Sequence, residues 1–209
     1  MNDVKQLEQA AKENAEISKQ EKELGKSLKT TAKLELKRTK ARLNLAKAEL
    51  GTAKAREKTA ELYNKLAEKK LNVTRDGIMN IPDTDLKIEK DNAAYNQKVA
   101  EDQIELSKIY EEIAQAEKNI SQAKLKFAKK VLDVSKIRQQ LSKEQHGYAT
   151  ALNLGNSDKI NSAKKSFSLK QKDLVRSRKK LAARDEKIKN EQVKLANLKS
   201  KLANKQTEN

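Results

Sequence analysis

Between Ile88 and Leu141 an apolar residue returns every three or four positions, through Ile88, Tyr95, Val99, Leu106, Ile109, Ile113, Ala116, Ile120, Ala123, Phe127, Val134, Ile137 and Leu141. Only Asn92, Asp102 and Lys130 place a polar residue on this row. Positions about 3.5 residues apart stay on one side of an α-helix, so the row predicts a long helix packed lengthwise on other helices. Its larger members, Ile88, Val99, Leu106, Ile109, Ile113, Ile120, Phe127, Val134, Ile137 and Leu141, are the expected packing seam.

The stretch before it carries two such rows. One runs Ala32, Leu36, Thr39, Leu43, Ala46, Leu50, Ala53, and the other Leu34, Ala41, Leu45, Ala48, Thr52, Ala55, Thr59, Leu62, Leu66, Val73. Rows two residues apart make a broad face that can meet two neighbours at once. The stretch after it keeps a thinner seam, Ile160, Ala163, Phe167, Leu174, Leu181, Ile188, Leu195, Leu198 and Leu202, with polar Lys170, Ser177, Arg184 and Glu191 between. It is expected to bury less and to be the least stable element.

Two interruptions separate the three patterns. Arg75 to Asp85 (RDGIMNIPDTD) holds a helix-ending Gly77 and a helix-starting Pro82, while His146 to Ser157 (HGYATALNLGNS) holds Gly147, Gly155 and the capping candidates Asn156 and Ser157. The expected organisation is a first basic helix in 1–74, a linker at 75–85, a central heptad helix in 86–145, a linker at 146–157 and a basic third helix in 158–209 with a frayed end. At 1.5 Å per residue the helices would run roughly 100, 90 and 70 Å. Gly25 and Gly51 lie inside the first and each costs about 1 kcal/mol against alanine. Each marks either a tolerated surface position or a bend or close helix contact.

Composition agrees with long helices. Of 209 residues 36% are apolar and 37% charged, against roughly 45–50% and about 25% in ordinary soluble domains, so a large compact core is not expected. With two phenylalanines and no tryptophan, a ring-lined ligand pocket is not expected either. There is no cysteine, which removes disulfides, thiolate catalysis and sulfur-ligated zinc. Neither a secretory signal pattern nor a membrane-spanning apolar run appears, so a cytoplasmic place or one inside an assembled particle is expected.

No catalytic constellation emerges. His146, the only histidine, stands beside Gly147 with nothing to complete a triad or metal site. Acidic pairs such as Glu111 and Glu112 read as a solvated helix face. Asp102 falls on the seam, where a polar residue more often fixes register or partner than performs chemistry. No phosphate loop or metal-ligand spacing is present, so no enzyme activity, cofactor, metal or small-molecule substrate is expected.

Charge carries the main functional alternative. The formal net charge is +17, with 19 basic and 11 acidic residues in 1–75, 12 and 13 in 76–145, and 16 and 6 in 146–209. Residues 83–117 hold ten acids against four lysines, so basic arms packing on that segment would be electrostatically favoured. On the third helix Lys165, Lys172, Arg176 and Lys179 fall near one outward face, with Arg178 and Lys180 on its shoulders. This stripe is the candidate polyanion site, for nucleic acid or, less favoured, an anionic membrane surface, without sequence specificity. Against dedicated readout, 39 of the 47 basic residues are lysine, and a lysine-rich coding bias explains much of the charge without any ligand.

The sequence thus predicts an all-α protein of three long helices forming an elongated coiled coil or antiparallel helical bundle. Its expected role is non-enzymatic: a scaffold, spacer or internal component of a multi-subunit assembly, such as a virus or phage particle, with further copies or other helical subunits as partners. Nonspecific polyanion binding is the alternative.

Overall fold

The computed structural model describes residues 2–75 and 83–207, and these form three helices, α1 (Asn2–Arg75), α2 (Asp83–Leu154) and α3 (Ser157–Thr207). The protein is all-α, with helices packed on one another and no strand among the described residues. The first expected linker, 75–85, lies largely outside the described residues. The second is corrected: α2 runs on through His146 and Gly147 to Leu154, and only Gly155 and Asn156 separate it from α3. Gly147 is exposed with nothing within 4 Å of where a Cβ would sit. Its helix penalty of about 1 kcal/mol is offset by its neighbours: Gln145, Ala149 and Ala151 are buried, and the Tyr148 ring stacks on Phe167 with centroids 6.0 Å apart. The true break is built from Gly155 at φ 67°, a conformation natural to glycine, and from Asn156, whose Oδ1 accepts the Lys159 amide at 3.0 Å as an N-cap.

Two compact units divide the chain, each drawing on all three helices. The first comprises Met1–Lys37 and Asn119–Val193, the second Arg38–Lys118 and Lys194–Asn209. In the first unit α1 and α2 run antiparallel, since Asn14 meets Gln145, Glu21 meets Arg138 and Glu35 meets Lys124. There α3 packs back along α2, with Val134, Leu141 and Leu174 forming a buried cluster that Ile137, Phe167 and Leu181 flank. In the second unit α1 and α2 are again antiparallel, through Arg42 with Glu117, Arg56 with Gln103, Asn64 with Gln97 and Lys70 with Glu89. These contacts carry out the expected packing of a basic arm on the acidic 83–117 segment, although exposed pairs of this kind contribute only about 0–1 kcal/mol each. The tail of α3 docks on α2 through Lys205 to Glu105 at 2.8 Å and Gln206 to the Tyr110 hydroxyl at 3.0 Å.

Candidate interaction surfaces

The centre line of the seam between α1 and α2 returns at strict sevenfold spacing in residues that are small except at Leu86, with Leu43 buried beside it against Ala46 and Ala114. In the first unit α1 buries Ala11, Ser18, Gly25 and Ala32, and α2 buries Ser121, Ala128, Ser135, Ser142 and Ala149. In the second unit the rows are Thr39, Ala46, Ala53, Ala60 and Ala67 against Leu86, Ala93, Ala100 and Ala114, with Ser107 half-buried. Side chains this small let two backbones come close. The Ser18 hydroxyl donates to the Ser135 carbonyl at 2.8 Å, and the Ser142 hydroxyl to the Ala11 carbonyl at 2.7 Å. A Cβ at Gly25 would stand 2.8 Å from Leu132 Cδ2 and 3.3 Å from the Leu132 amide nitrogen, so close helix contact is the reason for this glycine.

Against α1 this seam differs from the expected one, whose members Val134, Ile137 and Leu141 pack instead with Leu174, Phe167 and Leu181 of α3. The predicted α2 row flanks the contact on both sides, with Val99, Leu106, Ile113, Ile120, Phe127, Val134 and Leu141 one residue before its positions and Ile88, Ile109 and Ile137 two after. It is buried at Ile109, Ile120, Val134 and Leu141 and half-buried at Val99, Leu106, Ile113, Phe127 and Ile137. Ile88 and Tyr95 are 59% and 68% exposed, so Ile88 does not pack in a seam. On α1 the row through Ala32, Thr39, Leu43, Ala46 and Ala53 is the buried one. The second row faces out: Leu34, Leu45, Leu62 and Leu66 are exposed, as are the alanines and threonines between them.

One charged network crosses the seam inside the first unit. Arg138, its side chain 5% exposed, donates Nε and Nη2 to the two Glu21 oxygens at 2.9 and 2.8 Å, and Nη1 to Asn14 Oδ1 at 3.1 Å. Asn14 in turn donates to Gln145 Oε1 at 2.9 Å. A bidentate guanidinium–carboxylate pair fixes both distance and angle, so it sets the register of α1 on α2. The residue expected to do this, Asp102, is half-buried and has no partner among the described residues.

Positive charge concentrates in the first unit, whose segments hold 27 basic and 14 acidic residues against 20 and 16 in the second. From Lys159 to Arg184 α3 carries ten cations and one acid, Asp173, whose carboxylate is taken by Lys170 at 3.5 Å. Lys165, Lys172, Arg176, Arg178, Lys179 and Lys180 are all exposed. Lys172, Arg176 and Lys179 line a shallow groove of about 450 Å³ with Ser168, Gln171 and Val175. The structure therefore brings these three together, sets Lys165 further along the helix, and leaves Arg178 and Lys180 outside the groove.

A second groove, of about 480 Å³, lies in the second unit between α1 (Thr52, Ala55 and Thr59 of the outer row, with Tyr63 beside them) and α2 (Asn96, Val99, Gln103). A neighbouring recess continues it to Ile88 and Asn92. Among the described residues no cluster of three metal-ligating side chains occurs, and no helix is long and apolar enough to cross a membrane. The Glu105 carboxyl is held below its ordinary value, chiefly by the hydrogen bond from Lys205 and then by that ammonium's charge. Comparison with protein-family models, with curated proteins and with solved structures gives no match.

Proposed function

We propose that the protein is a non-enzymatic structural element, a scaffold or spacer that takes its place in a larger multi-subunit assembly of the kind a virus or phage particle represents. Its mechanism is geometric: helices locked in register present outward faces at fixed positions. The observation that supports this reading is the small-residue heptad, nine buried positions from Ala11 to Ala67 on α1. Such a seam gives little buried area per turn but fixes how closely and in what register two helices lie. Native-state amide exchange on the free protein tests it. Inner-row amides of both helices should be protected at 50 and 500 mM salt without any ligand. Exchange at unprotected-chain rates, slowing only when a 30-base-pair duplex is added, would replace the scaffold with a module that orders on binding.

The exposed α3 groove supports a second reading, nonspecific polyanion binding. Lys172, Arg176 and Lys179 are exposed cations spaced along one helix face, and Val175 among them is 56% exposed. Three phosphates neutralised there give a salt slope in log K of about −2.7 on duplex DNA. Reversing the three charges with glutamate should abolish that slope. A slope unchanged by the triple substitution removes the groove from consideration, and binding to anionic vesicles but not to duplex would assign it to a membrane surface.

A further inference from the structure

The outer row of α1 in the second unit is a complete heptad seam with nothing packed along it among the described residues. From Ala41 to Leu66 the spacing alternates four and three without a break, as regular as the buried row two residues away, and its leucines are 47–67% exposed. The groove beside it is walled by α2, and the α3 tail does not occupy it, because that tail sits on Glu105, Lys108, Ile109 and Glu112.

The row is complementary to itself when reversed. Turned end for end about the midpoint of Ala53 and Lys54, it sets Leu45 opposite Leu62, Ala41 opposite Leu66 and Thr52 opposite Ala55, so each position meets an apolar or small one. On the flank the same alignment brings Glu49, an exposed acid with no partner among the described residues, against Arg56 of the other copy, and does so twice. Arg56 makes one hydrogen bond of its own, 3.3 Å to Gln103, and keeps further donors free. Parallel alignment instead puts Lys65 against Lys70, like on like. Gly51, on the other flank, has nothing within 4 Å of a would-be Cβ, so no contact inside the chain calls for a glycine there, whereas a second helix passing close would.

We propose that a second copy of this chain lies antiparallel along this outer row, pairing two α1 helices about a two-fold axis. This deepens the structural reading above and rests on it. Twenty-six residues of helix extend about 39 Å, and a contact about 20 Å wide, α1 with the flank of α2, covers about 800 Å² per copy. That is the size of an ordinary stable interface, and an isologous pair closes on itself.

Sedimentation equilibrium of the full chain in 500 mM salt tests the proposal, expecting twice the 23.6 kDa chain mass. Leu45→Lys with Leu62→Lys should weaken the dimer by more than about tenfold with helicity unchanged, since both side chains are already exposed in the single chain. Glu49→Arg should weaken it too, and adding Arg56→Glu should restore it. Orientation is read separately, since the chain lacks cysteine: T52C and A55C proteins mixed together should crosslink, and T52C alone should not. A wild-type monomer, or crosslinking of T52C alone, overturns the proposal. An oligomer indifferent to the leucine substitutions also overturns it. None of these results touches the ligand-free amide protection on which the structural reading stands.

Discussion

Replacing Gly25 by alanine measures how tightly α1 and α2 approach. Alanine is favoured over glycine inside a helix by about 1 kcal/mol, and the added methyl would gain that much if it met open space. At Gly147 it does, with nothing within 4 Å. At Gly25 the methyl meets Leu132 Cδ2 at 2.8 Å, Cγ at 2.9 Å and the amide nitrogen at 3.3 Å. Leu132 can turn its side chain aside, but its amide belongs to α2 and moves only with the helix. Overpacking of this kind costs about 1–3 kcal/mol. Both variants gain the same propensity, so the gap between them isolates the packing cost. Gly147→Ala should stabilise by about 1 kcal/mol, and Gly25→Ala should lie about 1–3 kcal/mol below it, a net destabilisation near 1 kcal/mol. Urea unfolding followed by circular dichroism reads this as opposite shifts in midpoint at constant slope. Equal stabilisation by both substitutions would refute the close seam.

Two further outcomes follow from the charged contacts. Arg138→Ala removes both bonds to Glu21 and the bond to Asn14, leaving a carboxylate and an amide within the seam. A loss of about 3 kcal/mol is expected, the lower end for a buried pair because Glu21 keeps 22% of its side chain exposed, and Arg138→Leu should recover part of it; urea midpoints of the two variants make the check. Glu105 has a lowered pKa, so the bridge from Lys205 adds stability above the ordinary carboxylate range and loses it as pH falls through the depressed value. Protection factors of the amides in 194–207, which are referred to the intrinsic exchange rate at each pH, should fall on acidification through that range, and in Lys205→Ala the Glu105 titration followed by NMR should move up towards its ordinary position.

The all-α architecture was legible because period carries it: heptad rows, scarce glycine and proline and abundant Leu, Lys, Glu and Ala all favour helix. The faces were harder to read, for a physical reason. A search weighted by side-chain size finds Ile88, Val99 and Leu106, yet helices that lie close bury alanine and serine at the contact and push larger residues to the flanks. The sevenfold return of Ala11, Ser18, Gly25 and Ala32 was present in the sequence as a signal of size rather than of hydropathy. Arg138 escaped notice because its burial depends on Glu21, 117 positions away. Gly147 misled because a glycine penalty is small beside the packing of its neighbours. The α3 cations were legible as a stripe, since exposed residues on a regular helix lie where their spacing puts them.

The central claim, that the helices of a single chain hold one another at fixed positions without a ligand, is tested most directly by spin-label distances in the first unit. Lys12, Lys33 and Lys143 are exposed, and no native cysteine competes for the label. Labels at Lys12 and Lys143 flank the Ala11–Ser142 contact and should give one narrow, short distance at 50 and 500 mM salt, unchanged by duplex DNA. Labels at Lys33 and Lys143 are offset by about 30 Å along the helix axis, since 21 helical residues separate Lys12 from Lys33, and should give a distance longer by about 20 Å. Broad distributions that sharpen only when duplex is added, or equal distances for the two pairs, would contradict the account.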